Sequence, residues 1–179
     1  DYTREDDGPI ELTSESQTSV RVGMVVEVDG ELDSDGINGQ ALTVRYEDVL
    51  EGTISTINSL GGTVKVLEIL NQQVIVEDGF TALNGVTFAG LDSFTGMLEV
   101  SGFRLNDGRI QATYLENRVS GRYEIKGIVT AVNSSTSFDI GNLNVLHTGS
   151  IIVTASDLVE VKGSAYTNPT ITATLVSIE

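Results

Sequence analysis

Cysteine and tryptophan are absent from the 179 residues, and the only prolines are Pro9 and Pro169. Without cysteine the sequence can form no disulfide, no thiolate metal site and no lipid-bearing cysteine. Basic side chains are also scarce: ten Lys and Arg stand against twenty-six Asp and Glu, leaving a formal net charge of −16. Such a surface repels nucleic acid, because affinity for its phosphates comes mainly from Lys and Arg. Anionic membrane surfaces are disfavoured for the same reason. No apolar run approaches the ~18 residues that a membrane-spanning helix needs. Neither a nucleic-acid partner nor direct membrane insertion is therefore expected. No signal peptide stands at the start, and the opening DYTREDDG reads as a mature or truncated beginning.

What is present points to strands. Hydrophobic residues make up 40% of the chain, close to the globular norm, and nineteen glycines punctuate alternating runs rich in Val, Ile and Thr. An all-β protein with many tight turns is the expected class. The alternation is also repeated. Glu27-Val28-Asp29-Gly30 returns as Glu99-Val100-Ser101-Gly102 and as Glu160-Val161-Lys162-Gly163. A turn follows each copy, at Asp35-Gly36, Asp107-Gly108 and Thr167-Asn168-Pro169. After each turn an alternating strand begins, at Ala41, Ala112 and Ala173. One hairpin is thus written three times.

The segment preceding this hairpin recurs twice. Leu50-Glu51-Gly52-Thr53-Ile54 matches Ile125-Lys126-Gly127-Ile128-Val129, and both runs end at an asparagine, Asn58 and Asn133. A glycine early in a strand lets it bend hard, as small barrels require. The resulting parse is a partial unit at residues 1–48, a full unit at 49–117, a polar join at 118–122 and a shorter full unit at 123–179. Each full unit holds about five short strands, the number in an OB-like barrel. A set of small sandwich modules is the alternative. The expectation is an all-β chain of tandem small OB-like β-barrels, one partial unit plus two.

These patterns, VRVGMVVEVDGEL, LEGTISTINSLGGTVKVLEILNQQVIVEDG and MLEVSGFRLNDGRIQATYLE, resemble a bacterial tandem-repeat family of unknown function. The resemblance runs from residue 19 to residue 179. It implies OB-like β-barrel units and a secreted or lipoprotein-type protein of Gram-negative bacteria, located extracellularly, at the cell surface or in the periplasm. It carries no catalytic residues. Family members usually have a Gly-rich stretch and a further strand pair before the first hairpin, where this sequence has only GPIELTSESQT. Three readings of that gap stay open. The missing strands were removed by processing or truncation; or the remnant packs on the second barrel; or a neighbouring subunit supplies the strand. In the third case the partner is the chain itself, head to tail, which gives a filament.

Candidate sites are few. Glu31, Asp33 and Asp35 place carboxylates at alternate positions before Gly36, the front half of a calcium loop. Position twelve, however, is Leu42 rather than a bidentate Glu, and the aligned second copy begins with Arg104. A repeated Asp-Gly turn explains both copies, and Ca²⁺ is the one cofactor the sequence raises. His147 is the single histidine and reads as a surface or turn residue. No Gly-x-Ser-x-Gly elbow occurs, and Gly61-Gly62 reads as a hairpin turn. Tyr46, Phe103, Tyr114 and Tyr123 lie on expected strands, where hairpin packing competes with a stacking platform. With twenty-six carboxylates, chance acid/base pairs carry no information. The function expected is a non-enzymatic, exported structural or interaction protein. The competing expectation is a monomeric periplasmic binding module for a small ligand, glycan or cation.

Overall fold

The computed structural model describes residues 2–5, 12–15, 19–119 and 122–179. Much of the GPIELTSESQT segment, and Ser120 and Gly121 of the expected join, lie outside the described residues. The protein is all-β, with sixteen strands among those residues and a short 3₁₀ turn at Ala89–Ser93.

The middle of the chain forms a ring of five strands. These are β5 (Leu50–Leu60), β6 (Val64–Ile69), β7 (Gln72–Glu77), β9 (Met97–Arg104) and β10 (Ile110–Arg118). Antiparallel pairing runs β5 to β6 to β7, and β7 then lies parallel to β10. From β10 the path returns antiparallel through β9 to β5, which closes the ring. β5 serves both partners by changing sides. Leu50–Thr53 pair with β9 and Ile54–Leu60 with β6. The change falls just after Gly52, where an added Cβ would stand 2.8 Å from the Ile69 Cγ2 atom. Sequence pattern and geometry agree here: only glycine lets the strand bend against its own neighbour. A short strand, β8 (Ala82–Asn84), runs parallel to the far end of β10.

The C-terminal unit repeats this connectivity in shorter form. β11 (Tyr123–Ile128) pairs with β15 (Leu158–Thr167), and β15 with β16 (Thr170–Ile178). β16 runs parallel to β14 (Leu143–Leu146), which leads through β13 (Ser137–Ile140) to β12 (Ala131–Ser134). β12 follows β11 after a two-residue break, so the first strand is again divided between two partners. Gly127 takes the place of Gly52, its Cβ position lying 2.6 Å from Ile140 Cγ2.

One continuous apolar core spans both units, from Leu67, Val74 and Leu98 to Phe138, Val159 and Ile171. The units are also joined in the sheet, where Leu50 and Glu51 of β5 lie opposite Ile125 and Glu124 of β11. β9 is buried at four consecutive positions, Leu98 to Ser101, as a strand covered on both faces must be.

The N-terminal unit holds the third hairpin, β3 (Val25–Leu32) with β4 (Gly39–Glu47), in a four-stranded sheet. β1 (Tyr2–Glu5) runs parallel to β4, and β2 (Leu12–Glu15) pairs with β1. The sheet order is β2-β1-β4-β3, so β3 is its edge. The three hairpins share one register. Gly30 faces Ala41, Gly102 faces Ala112 and Gly163 faces Ala173. Each glycine sits where a Cβ would strike the opposing strand: 2.5 Å from the Gln40 carbonyl oxygen, 2.2 Å from that of Gln111 and 2.9 Å from that of Thr172. The Glu-Val-x-Gly repeat is therefore a packing rule at the tightest point of the hairpin.

Candidate functional site

The residues expected to hold a cation are placed by the first hairpin. Glu31 lies in β3 opposite Gln40, and Asp33 and Asp35 lie in the turn. Asp35 Oδ1 accepts hydrogen bonds from the backbone N–H of Ile37 (2.9 Å) and of Asn38 (3.0 Å), and its Oδ2 accepts one from Asn38 Nδ2 (2.7 Å). These bonds hold its carboxyl below the usual carboxylate range. The second copy is built alike: Asp107 Oδ1 accepts from the Arg109 N–H at 3.1 Å, with Arg109 Nε donating to Oδ2 at 2.8 Å. Both Asp carboxylates organise turns whose following glycines, Gly36 and Gly108, have positive φ. Among the described residues no three His, Asp or Glu side chains converge as metal ligands.

The structure brings together a different set. Reading across the sheet in register, Lys162 of β15 faces Glu124 of β11, which faces Glu51 of β5. Glu51 faces Glu99 of β9, Glu99 faces Glu116 of β10, and Glu116 faces Asn84 of β8. Residues directly opposed in a sheet point to the same face. Six strands therefore contribute one rung, four of whose members are carboxylates. Glu51 and Glu99 are only 4% and 3% exposed, and Lys162 only 1%.

Each member has a structural neighbour. Tyr46, at the end of β4, donates its hydroxyl to Glu99 Oε1 at 2.7 Å, and Arg118 Nε lies 3.4 Å from Glu99 Oε2. Tyr46 also meets Tyr114 edge to face, at 6.4 Å between ring centres. Asn84 Nδ2 donates to Glu116 Oε1 at 2.7 Å. Lys162 Nζ stands 3.5 Å from Glu124 Oε1 and 3.4 Å from Glu160 Oε1. Asp48, just after β4, completes the cluster. Burial, with the charges of Glu99 and Glu51, drives its carboxyl well above the usual range. Burial first, and Asp48 second, push Glu124 up to about 10 even though Lys162 opposes the shift.

This joint can hold protons and fasten three units together. Within it Glu51, Glu99 and Glu124 are buried, while Glu116 and Asp48 are half-buried. The N-terminal hairpin is docked onto β9 at the same place. The Val25 N–H donates to Ser101 Oγ at 2.9 Å, and Ser101 Oγ donates to the Glu47 carbonyl at 3.2 Å.

Among the aromatic candidates, Tyr46 and Tyr114 are buried, Phe103 is exposed, and Tyr123 packs on Tyr166. They form no common platform. His147 corrects the expectation of a surface residue. It is 7% exposed, because its ring packs on that of Phe138 at 5.7 Å between centres. Sequence reading missed the carboxylate rung because each strand supplies only one member. One signal was available: the repeat keeps a glutamate at 27, 99 and 160, one residue from a valine. Of these, Glu99 belongs to the rung and Glu160 lies beside its Lys162.

A family model described as a domain of unknown function, DUF5666, matches residues 4–45, 51–116 and 119–177. No curated protein and no solved structure matches the chain.

Proposed function

Since the chain belongs to the DUF5666 domain family, we propose that it is a non-enzymatic, exported structural or interaction protein of the bacterial cell surface. In this reading its units are OB-like barrels, and it assembles with partners by β-strand complementation. The observation that carries the proposal is the unpaired outer edge of β3. In the other two units the equivalent strand is covered on that edge, by β5 for β9 and by β11 for β15. Among the described residues no strand covers β3. An open strand edge is a template for a further strand. The burial of Glu51, Glu99 and Glu124 supports a non-enzymatic role, since general acid/base chemistry needs groups within reach of a substrate.

The test is the size of the native complex in cells that make the protein. The wild-type chain is expected outside the cytoplasm, in a complex well above its monomer mass. Glu27→Pro is expected to release it as monomer. Val25 directs its N–H to Ser101, away from β4, and alternation gives Glu27 the same outward direction. Proline at 27 therefore removes an edge donor while sparing the β3–β4 ladder. A wild-type protein that is cytoplasmic and monomeric contradicts the proposal.

A further inference from the structure

The repeats also specify what fits the open edge. In the second unit Leu50 faces Val100, Glu51 faces Glu99 and Gly52 faces Leu98. In the third, Ile125 faces Val161, Lys126 faces Glu160 and Gly127 faces Val159. Both covering strands are antiparallel, and both put their glycine opposite the residue that precedes the repeat glutamate. Transferred to the first hairpin, that register sets an apolar residue against Val28, a polar residue against Glu27 and a glycine against Val26. Burial marks the vacancy: Val28 is 55% exposed, while Val100 and Val161 are fully buried. Leu32, Ile37 and Leu42 of the same hairpin are exposed as well.

Resting on the assembly reading above, we propose that the Val26–Gly30 edge of β3 accepts one extended antiparallel strand of a partner polypeptide, with the sequence pattern apolar-Lys-Gly-apolar. Lysine at the second place follows from charge. β3 presents Glu27, Asp29 and Glu31, and the third unit meets its equivalent glutamate, Glu160, with Lys126. The glycine is required because the same position in both intact units has no room for a Cβ. A second copy of this chain is a poor donor. Its one strand with this pattern, β11, and the related Leu50-Glu51-Gly52 of β5 are already paired within their own units. Pairing of two β3 edges would set Glu27, Asp29 and Glu31 against their own copies.

The probe is a fluorescently labelled synthetic peptide corresponding to residues 122–132 of this chain, titrated into the whole protein and followed by anisotropy. Saturable one-to-one binding is expected, antiparallel to β3. A peptide with valine in place of its glycine should bind at least tenfold more weakly. Glu27→Pro should abolish binding. Val28→Ser, which keeps the ladder intact and adds no charge while removing the apolar contact, should weaken it at least tenfold. Absence of saturable binding, or equal binding by all variants, overturns the proposal. So does a wild-type dimer in sedimentation that Glu27→Pro dissolves, since the occupant is then a second copy. A cellular complex without peptide binding overturns the strand pattern and leaves the assembly reading standing. Peptide binding without a cellular complex overturns the assembly reading and leaves the edge assignment standing.

Discussion

Gly102→Ala is expected to destabilise the protein by about 3 kcal/mol or more, within the range of severe overpacking. The added methyl would lie 2.2 Å from the Gln111 carbonyl oxygen and 3.0 Å from Ala112 Cα. Both are backbone atoms of the paired strand, so no side-chain rotation can relieve the contact. The hairpin would have to open at the centre of the closed ring. Gly30→Ala meets the Gln40 carbonyl at 2.5 Å but lies in the exposed first hairpin. It should loosen that hairpin and leave the main unfolding transition nearly unmoved. Gly108, at a turn with nothing near its Cβ position and φ of 87°, provides the control. Its alanine variant should cost about 1 kcal/mol, from backbone strain alone. Urea unfolding midpoints of the three variants check the order. Gly102→Ala within error of wild type contradicts the close approach.

Lys162→Met is expected to cost about 3–5 kcal/mol at alkaline pH and distinctly less near pH 5. It removes the buried cation beside Glu124 and Glu160, and an uncompensated buried charge is the expensive result. The pH dependence follows from the direction of the carboxyl shifts. Glu124 is raised to about 10 in the fold, so the folded state keeps a proton that the unfolded chain releases near the ordinary value of 4.5. Its stabilising contribution is complete below that ordinary value and is lost as pH rises toward about 10. Asp48 shifts in the same direction. Wild-type stability should therefore fall between pH 5 and pH 9. Lys162→Met should carry that fall to higher pH, because Lys162 opposes the upward shift of Glu124. Glu124→Gln, neutral at every pH, should flatten it. Urea melts of the three proteins at acid, neutral and alkaline pH provide the check. Parallel profiles for all three contradict the proton-holding role of the rung.

The sequence made the hairpins legible because they are local. The Asp-Gly turns, the alternation on either side and the strand-bending Gly52 and Gly127 each concern a few neighbouring residues. What closes the ring is not local. The parallel pairing of β7 with β10 joins Val74 to Ile110, and no short-range pattern announces it. The carboxylate rung is harder still, since Asn84, Glu99, Glu116, Glu51, Glu124 and Lys162 come from six strands and meet only through register. The acidic loop, by contrast, is local and legible. Glu31, Asp33 and Asp35 look like ligands when read along the chain, yet Asp35 is occupied with the amides of its own turn. His147 looked exposed because it follows a strand end, and it is buried because its ring packs on Phe138.

The central claim is that three hairpins share one architecture and that only the first has an open outer edge. Amide hydrogen exchange over the three equivalent strands tests it directly. Residues 26–28 should exchange at least roughly tenfold faster than residues 98–100 and 159–161, whose outer edges are paired. Equal protection of all three strands in the isolated protein would contradict the account, because β3 would then already have its strand.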